Sequence, residues 1–183
     1  MSPRFAVAIE AAYRAGRATL RWFQNEHTAS TKQDGSPVTE ADREAESLLR
    51  QTIESAFPKD QILGEEFGGP ESGDRWILDP IDGTKSFVCG VPLYGTLVSY
   101  EVDGAPQFGV AYFPALDDMI FAELGQGCYW NGRPCRVSSA ETLSGASIAC
   151  GGHATAEATG RMDGILRLAK QAQAMRTWCD AYG

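Results

Sequence analysis

Apolar residues recur at every third or fourth position in two N-terminal segments, and this spacing predicts two amphipathic helices. The first helix carries its apolar stripe from Phe5 to Phe23. The second helix begins after Thr39 and ends before Pro58, because proline cannot continue a helix. Thr39 and Asp42 have the spacing of a capping box, in which each side chain bonds to the backbone N–H of the other residue.

Shorter apolar runs follow the helices and predict a sheet. Residues 61–64 form a first strand, and the run Trp76-Ile77-Leu78 forms a second, buried strand. Further strands are predicted at 94–102, 107–113, 119–123, 127–130 and 133–137. The dipeptide Asn131-Gly132 between the last two strands is a strong signal for a tight hairpin.

The last part of the chain predicts a second, smaller arrangement. Residues 147–150 indicate a short buried strand, and apolar residues between Met162 and Ala172 share one face of a helix. A strand-helix-strand unit therefore begins after a soft boundary near residues 138–145. We expect an N-terminal α+β subdomain at 1–140, which carries the candidate chemistry, and a C-terminal α/β subdomain at 141–183.

The run Asp-Pro-Ile-Asp-Gly-Thr at 79–84 follows the buried strand and carries that candidate chemistry. Pro80 holds the preceding aspartate extended and ends the regular ladder. Gly83 lets the backbone turn closely, and Thr84 can cap a short helix. Two carboxylates, the Ile81 carbonyl and a helix N-terminus would then face one small volume. Hard oxygen ligands suit Mg²⁺, and a helix N-terminus suits a phosphate.

The same run has a plain structural interpretation. Asp-Pro and Asp-Gly are common turn dipeptides, and an isolated Asp-x-x-Asp is more often a solvated turn than a metal site. However, seven carboxylates lie between residues 60 and 82. Buried carboxylates crowded in this way need a bound cation or raised pKa values to relieve their repulsion. Both interpretations stay open on residue types alone.

Composition narrows the class of protein. The 183 residues suffice for one domain or a compact pair, and no apolar run approaches the ~18 residues of a membrane span. The net charge of −8 argues against a nucleic-acid surface, which needs a basic patch. Five cysteines without a Cys-x-x-Cys pair, and only two histidines, disfavour a zinc site and predict reduced thiols. We therefore expect a cytoplasmic protein that binds neither nucleic acid nor membrane.

Two motifs with their mutual spacing resemble one known family. The run at 79–84 resembles the signature of the inositol monophosphatase family, and Ile-Leu-Gly-Glu-Glu at 62–66 resembles that family's glutamate motif. Residues 38–42 resemble its upstream motif, and the resemblance covers the whole chain. It implies a layered αβαβα sugar-phosphatase-like sandwich of the α/β class, with the metal site between its two subdomains. It also implies a Mg²⁺-dependent, lithium-sensitive phosphatase acting on a small-molecule phosphate monoester.

The resemblance implies a role for each matched residue. The implied ligands of two or three Mg²⁺ ions are Glu65, Asp79, the Ile81 carbonyl and Asp82. The implied phosphate-binding groups are the backbone amides of Gly83 and Thr84. The implied catalytic residues are Asp42, Glu65 and Thr84, of which Asp42 and the Thr84 hydroxyl would orient and deprotonate the attacking water. The family attacks the phosphate directly with water, without a covalent intermediate.

The end of the chain suggests a substrate. Residues 176–183 resemble the Arg-Thr-Trp-x-Asp-x-Tyr-Gly motif of histidinol-phosphatase-like members, whose aspartate lies near the organic part of the substrate. This implies that Asp180 binds substrate, and that the substrate is histidinol phosphate, an intermediate of histidine biosynthesis. Inositol 1-phosphate, another sugar phosphate and a nucleotide 3′-phosphate remain alternatives. A non-catalytic metal- or phosphate-binding protein, or one half of a split assembly, is the alternative from another class.

Members of the resembled family continue past the position of Gly183 with a Trp-Asp motif whose aspartate completes the metal site. The resemblance therefore implies that the C-terminal subdomain is truncated here. We expect the 183-residue chain alone to keep at most one good metal site, to be nearly inactive, and to associate with itself or with a complementary chain. Homodimers are usual in the family.

Overall fold

The computed structural model describes residues 1–25, 29–31, 37–177 and 181. It contains two compact units, Met1–Cys135 and Arg136–Gly183. In the first unit the elements are, in chain order, α1 (Pro3–Thr19), β1 (Ala29–Thr31), β2 (Pro37–Thr39), α2 (Glu40–Ala56), β3 (Gln61–Gly64), β4 (Arg75–Asp82), α3 (Thr84–Val88), β5 (Gly95–Val102), β6 (Ala105–Phe113), β7 (Asp118–Glu123), β8 (Gly127–Trp130) and β9 (Arg133–Cys135).

The first unit is built on a seven-stranded sheet in the order β3-β4-β5-β6-β7-β8-β9. Only β3 and β4 are parallel, with Gly64 opposite Leu78, and all the other neighbours are antiparallel. Short loops join the antiparallel neighbours from β5 onward, as expected for consecutive strands. The strands β1 and β2 form a separate antiparallel pair.

Helices α1 and α2 cover one face of this sheet and enclose the main core. The buried face of α1 is rich in alanine, which allows the helix to approach its neighbours closely. Trp76 of β4 is fully buried in this core, and its indole Nε1 donates to Asp60 Oδ2 at 3.0 Å. Burying an aromatic ring with its N–H paired keeps the apolar contribution without leaving a polar atom unsatisfied.

The structure confirms most of the predicted elements of this unit. The strand predicted at 61–64 is β3, and the hairpin at Asn131-Gly132 joins β8 and β9. The first helix ends earlier than predicted, at Thr19, so the stripe as far as Phe23 continues into the following turns. No helix in the described ranges is both long enough and apolar enough to cross a membrane.

The second unit contains the predicted strand-helix-strand arrangement, with two helices instead of one. Its elements are β10 (Ser147–Ala149), α4 (His153–Ala158), α5 (Met162–Gln171) and β11 (Ala174–Arg176). The strands β10 and β11 pair in parallel, with Ile148 opposite Met175. The prediction of a buried strand here was wrong, because both neighbours of Ile148 in β10 are exposed. A sheet of two short strands cannot bury both of its faces.

Candidate active site

The ends of β3 and β4 place Glu65 beside Asp79. Gly64 pairs with Leu78 in the parallel register, and Glu65 N donates to the Leu78 carbonyl at 3.1 Å. Glu65 and Asp79 directly follow this pair, Glu65 just beyond the end of β3 and Asp79 within β4, so both acids lie at the same end of the two strands. The structure therefore brings together two acids that lie fourteen positions apart in the sequence.

Asp79 lies among three other predicted site residues. Burial raises the pKa of Asp79 to about 8, and the next contributions are the charge of Glu65 and a hydrogen bond with it, followed by the charges of Asp82 and Asp42. Each neighbouring negative charge disfavours ionisation of Asp79. Its Oδ1 atom is buried and has no hydrogen-bond partner among the residues that the structure describes. The four predicted acids thus share one neighbourhood.

The backbone between Asp79 and Asp82 departs from the regular ladder. Asp79 pairs with Leu97 and Asp82 pairs with Gly95, so the register with β5 shifts between them. This shift confirms the prediction that the regular ladder ends at Pro80, although β4 itself continues to Asp82. Pro80 lies within the shifted step, where its missing N–H removes no ladder bond.

The turn after Asp82 corrects the prediction that Thr84 caps the short helix. Gly83, with φ 84°, is the N-cap of α3, and Thr84 is the first helical residue rather than the cap. Gly83 takes this position because its left-handed backbone conformation is one that residues with a Cβ rarely adopt. The Thr84 hydroxyl donates to the Ile81 carbonyl at 3.1 Å, so two groups with predicted roles are in direct contact.

Asp42 is fixed by the predicted capping box at the start of α2. The backbone N and the Oγ1 of Thr39 both donate to Asp42 Oδ2, at 2.7 and 2.5 Å. Both residues are buried, with 1% of each surface exposed. The capping interpretation of Asp42 is therefore confirmed. Its effect on the pKa of Asp79 places the same carboxylate near the other acids.

Sequence reasoning missed Glu46, which is fully buried on α2. Its carboxylate accepts from Glu66 N at 2.6 Å, from Phe67 N at 3.3 Å and from Arg50 Nε at 2.8 Å. Glu46 therefore holds the backbone of the turn that follows Glu65. The signal was present in the sequence: Glu46 and Arg50 are four positions apart, and Glu46 adjoins the buried stripe of α2.

Arg50 completes this support from the other side of the turn. Its NH2 group donates to the Gly68 carbonyl at 2.6 Å. Gly64 and Gly68 also exchange two backbone hydrogen bonds, at 3.0 and 3.1 Å, which close the turn between them. The fully buried Glu46 carboxylate needs such partners, because an unpaired buried charge is strongly unfavourable. The turn that carries Glu65 is thus held by its own backbone and by two residues of α2.

The donor chemistry of the four acids and the Ile81 carbonyl fits Mg²⁺, which prefers hard oxygen ligands. The buried Asp79 Oδ1 is an acceptor that a cation would satisfy. Within the described ranges, however, no three acidic, histidine or cysteine side chains are arranged to hold a metal ion as they stand. The predicted substrate residue Asp180 lies outside the described residues.

Comparison with known proteins identifies the family. The sequence profile of the inositol monophosphatase family matches residues 1–182. The chain belongs to the inositol monophosphatase family. A histidinol-phosphatase from Chlorobaculum parvum is 48% identical over 151 residues, which cover 81% of this chain and 58% of that protein. A histidinol-phosphatase from Mycobacterium tuberculosis is 43% identical over 150 residues, which cover 78% of this chain and 58% of that protein.

A solved structure supports the same family assignment and confirms the predicted fold. The extragenic suppressor protein SuhB from Bartonella henselae superposes with a TM-score of 0.88 at 31% identity, covering 96% of this chain and 70% of that one. The mixed sheet with its helices is therefore the layered α/β sandwich expected for the inositol monophosphatase family. This chain spans 58% of the length of each of the two histidinol-phosphatases that it resembles.

Proposed function

We propose that this protein is a phosphomonoesterase that hydrolyses a small-molecule phosphate by direct attack of water. The observation that carries the proposal is the meeting of Glu65, Asp82 and Asp42 around Asp79, whose pKa is raised to about 8. An acid whose pKa is strongly raised by burial and by neighbouring acids is typical of functional sites. Membership of the inositol monophosphatase family and similarity to two histidinol-phosphatases support a phosphatase.

Mg²⁺ is the proposed cofactor, with two or three ions in the complete site. The proposed ligands are Glu65, Asp79, the Ile81 carbonyl and Asp82. When bound, the metal supplies a Lewis acid that makes water a stronger acid and offsets charge on the phosphate group. The raised pKa of Asp79 supports this assignment, because a nearby cation would offset both the burial and the repulsion from neighbouring acids that keep its carboxyl group protonated.

The remaining residues would position the reactants. Asp42, held through its Oδ2 by Thr39, would accept a proton from the attacking water on its carboxylate. The Thr84 hydroxyl lies against the Ile81 carbonyl and would orient that water, while the amides of Gly83 and Thr84 would bind the phosphate oxygens. Glu65, on a turn anchored by Glu46, would keep its place relative to Asp79 during turnover.

Histidinol phosphate is the proposed substrate, and Asp180 would bind its cationic part. The proposal is supported by the motif at 176–183 and by the two similar histidinol-phosphatases. Inositol 1-phosphate is the second candidate, favoured by the family to which the chain belongs. A homodimer, as is usual in that family, remains a prediction.

A panel of phosphate monoesters tests both the activity and the substrate. The 183-residue chain and any longer form of the protein are assayed for phosphate release with Mg²⁺, with EDTA and with added Li⁺. We expect hydrolysis that requires Mg²⁺, is inhibited by Li⁺, and has a higher kcat/KM for histidinol phosphate than for inositol 1-phosphate. Activity that survives complete chelation would contradict the proposed chemistry, and the reverse order of kcat/KM would contradict the proposed substrate.

A further inference from the structure

Two cysteines face each other across the hairpin of β8 and β9. Cys128 and Cys135 are directly opposite in the antiparallel register, and their Sγ atoms are 3.3 Å apart, with Cys135 donating to Cys128. Opposite residues of antiparallel strands have Cα atoms ~4.5–5.5 Å apart. That separation lies inside the ~4.4–6.8 Å range observed across disulfides. The two sulfurs can therefore be joined without displacing the backbone.

The hairpin turn holds the two cysteines in this register. Asn131 and Gly132 have φ values of 49° and 76°, as required for the type I′ turn that Asn-Gly favours. The Asn131 side chain accepts from Met119 N and donates to Asp118 Oδ1, both at 2.8 Å. A slip of one residue would move one cysteine to the other face of the sheet. These bonds to β7 oppose such a slip, so the thiols are pre-positioned for reaction with each other.

A small reagent can reach the pair. Both cysteines are only partly buried, and Cys135 lines a surface pocket of about 420 Å³. Trp130 and Arg133 line the same pocket, and Trp130 is 49% exposed. Asp118 lines the pocket as well, so an apolar surface and side chains of both charges lie beside the thiol, which suits a small thiol reagent that itself carries both charges.

The other cysteines of the described residues lack this arrangement. Cys89 is exposed, and the Cys150 thiol donates to the Gly151 carbonyl at 3.7 Å. Only Cys128 and Cys135, among the cysteines that the structure describes, contact each other through sulfur. Among the four cysteines that the structure describes, they therefore form the one specific pair.

We propose that Cys128 and Cys135 form a reversible dithiol–disulfide couple that is oxidised by low-molecular-weight disulfides of the glutathione type. One cysteine thiolate attacks a sulfur of the small disulfide, whose S–S bond breaks and releases one small thiolate. The second cysteine thiolate then attacks the protein sulfur of the mixed disulfide and displaces the other small thiolate. Two protein thiols are oxidised to one disulfide, the small disulfide is reduced to two thiols, and the two protons pass to those products.

The consequence is a reversible cross-link at the edge of the sheet. The strand β9 is the last strand of the seven and pairs only with β8 in that sheet. A disulfide between opposite residues would close the hairpin and limit its opening, because a cross-link restricts the conformations of the unpaired chain. This proposal does not depend on the proposed phosphatase activity.

Peptide mass spectrometry provides a direct test. Cleavage after glutamate releases residues 124–141, a peptide that contains Cys128 and Cys135 and no other cysteine. The folded protein is incubated with oxidised glutathione, its remaining thiols are alkylated, and the mass of the peptide is measured after cleavage. We expect it to lack two hydrogen atoms and to carry neither glutathione nor the alkylating group. Incubation with reduced glutathione should restore both thiols.

Single-cysteine variants distinguish an internal disulfide between Cys128 and Cys135 from the addition of glutathione to individual thiols. Cys128→Ser and Cys135→Ser should each keep a stable glutathione adduct on the remaining cysteine, because no second thiol can displace it. Cys89→Ser is the matched control and should form the same internal disulfide as wild type. Circular dichroism checks that each variant is folded. If the wild-type peptide keeps its glutathione adduct, or stays fully alkylated after excess oxidised glutathione, the proposed couple does not exist.

Discussion

The carboxylate of Glu46 occupies the space in which a Cβ atom on Gly64 would stand. Gly64 is the last residue of β3, and Glu46 lies on α2 with none of its surface exposed. The absence of a side chain at position 64 therefore lets a buried acid reach the turn that begins with Glu65. This contact links the helix layer to the sheet at the edge where the candidate site residues meet.

Replacing Gly64 by alanine should disturb that contact. The new Cβ would collide with Glu46 Oε1 and lie 2.8 Å from an Arg50 guanidinium nitrogen. Because overpacking a well-filled interior costs about 1–3 kcal/mol, we expect a loss of stability of this size in Gly64→Ala. Urea unfolding measures the loss. A Mg²⁺ titration then checks whether the Glu65 turn has loosened, which should appear as weaker binding.

Gly109→Ala is the matched control for this substitution. Gly109 also lies in a strand of the same sheet, but a Cβ there would meet nothing within 4 Å. Its substitution should be nearly neutral and should leave Mg²⁺ binding unchanged. Equal stabilities of Gly64→Ala and Gly109→Ala would mean that Glu46 and Arg50 move aside freely and that the contact is not tight.

A second prediction concerns acid stability. Arg4 binds both carboxylate oxygens of Asp60, at 2.7 and 2.9 Å, and this pairing lowers the pKa of Asp60. The stabilisation is therefore present above the unfolded-state pKa of about 3.9 and is lost as the pH falls through the lower folded-state value. Asp60→Asn should reduce stability near pH 7 and converge with wild type in acid, as measured by urea unfolding at several pH values.

Glu10→Gln is the comparison for Asp60→Asn. Glu10 pairs with Arg14 one helical turn away at 3.6 Å, and both side chains are more than half exposed. Such surface pairs contribute about 0.3–0.5 kcal/mol or less. Glu10→Gln should therefore change stability very little near pH 7. A similar loss of stability in both variants would show that the Arg4–Asp60 pair stabilises the fold no more than an exposed surface pair does.

Local sequence signals were sufficient for the elements that depend on neighbouring residues. The capping box of Thr39 and Asp42 and the turn at Asn131-Gly132 involve groups within three positions of each other, so the sequence specifies them directly. The strand at 61–64 was equally clear from its apolar run and from Pro58 before it. Each of these predictions rests on an interaction that closes within a few residues.

The sequence did not predict the features that depend on residues far apart along the chain. Glu46 contacts a backbone twenty positions away, and a charged residue in a helix is ordinarily expected on the surface. The continuation of β4 past Pro80 depends on the register with β5, which no local pattern specifies. The roles of Glu65, Asp79 and Asp82 were inferred from the family motifs, because residue types alone allowed a solvated turn.

The proposed metal ligands yield a third prediction. Asp82→Asn and Glu65→Gln keep the side-chain shape and remove a ligand charge. Changing groups that merely bond to metal ligands typically weakens metal affinity ~10–100-fold, so removing a ligand charge should weaken Mg²⁺ binding at least as much. Calorimetric titration of the purified protein measures this directly. Turnover in an active form should fall together with metal affinity.

Glu66→Gln is the control for the ligand variants. Glu66 contributes its backbone N–H to Glu46, and that bond survives the substitution. Its Mg²⁺ affinity should stay close to wild type, whereas Asp82→Asn and Glu65→Gln should both lose affinity. Identical titrations for wild type and Asp82→Asn would show that the metal site has been misplaced.

The raised pKa of Asp79 predicts an unusual response to removing its charge. Burial and the neighbouring acids raise this pKa to about 8, well above the value of about 3.9 for an unfolded aspartate. The folded state therefore holds a proton that the unfolded state releases. Stability from Asp79 should be fully present below about pH 4 and should fall as the pH rises through about 8. In Asp79→Asn this decline should disappear, so the variant should be more stable than wild type in EDTA near pH 9.

Mg²⁺ should reverse the order of stability, so that wild type becomes more stable than Asp79→Asn. A cation bound to the Asp79 carboxylate would offset the repulsion from Glu65, so wild type should gain stability with added Mg²⁺ and Asp79→Asn should gain much less. Urea unfolding between about pH 5 and about pH 9, with EDTA and with Mg²⁺, measures all four curves. Asparagine can still donate to Glu65, so the comparison removes the charge while keeping a hydrogen bond at the same position. A wild-type stability that is flat across this pH range in EDTA would mean that Asp79 ionises normally, and the central observation for the proposed site would be lost.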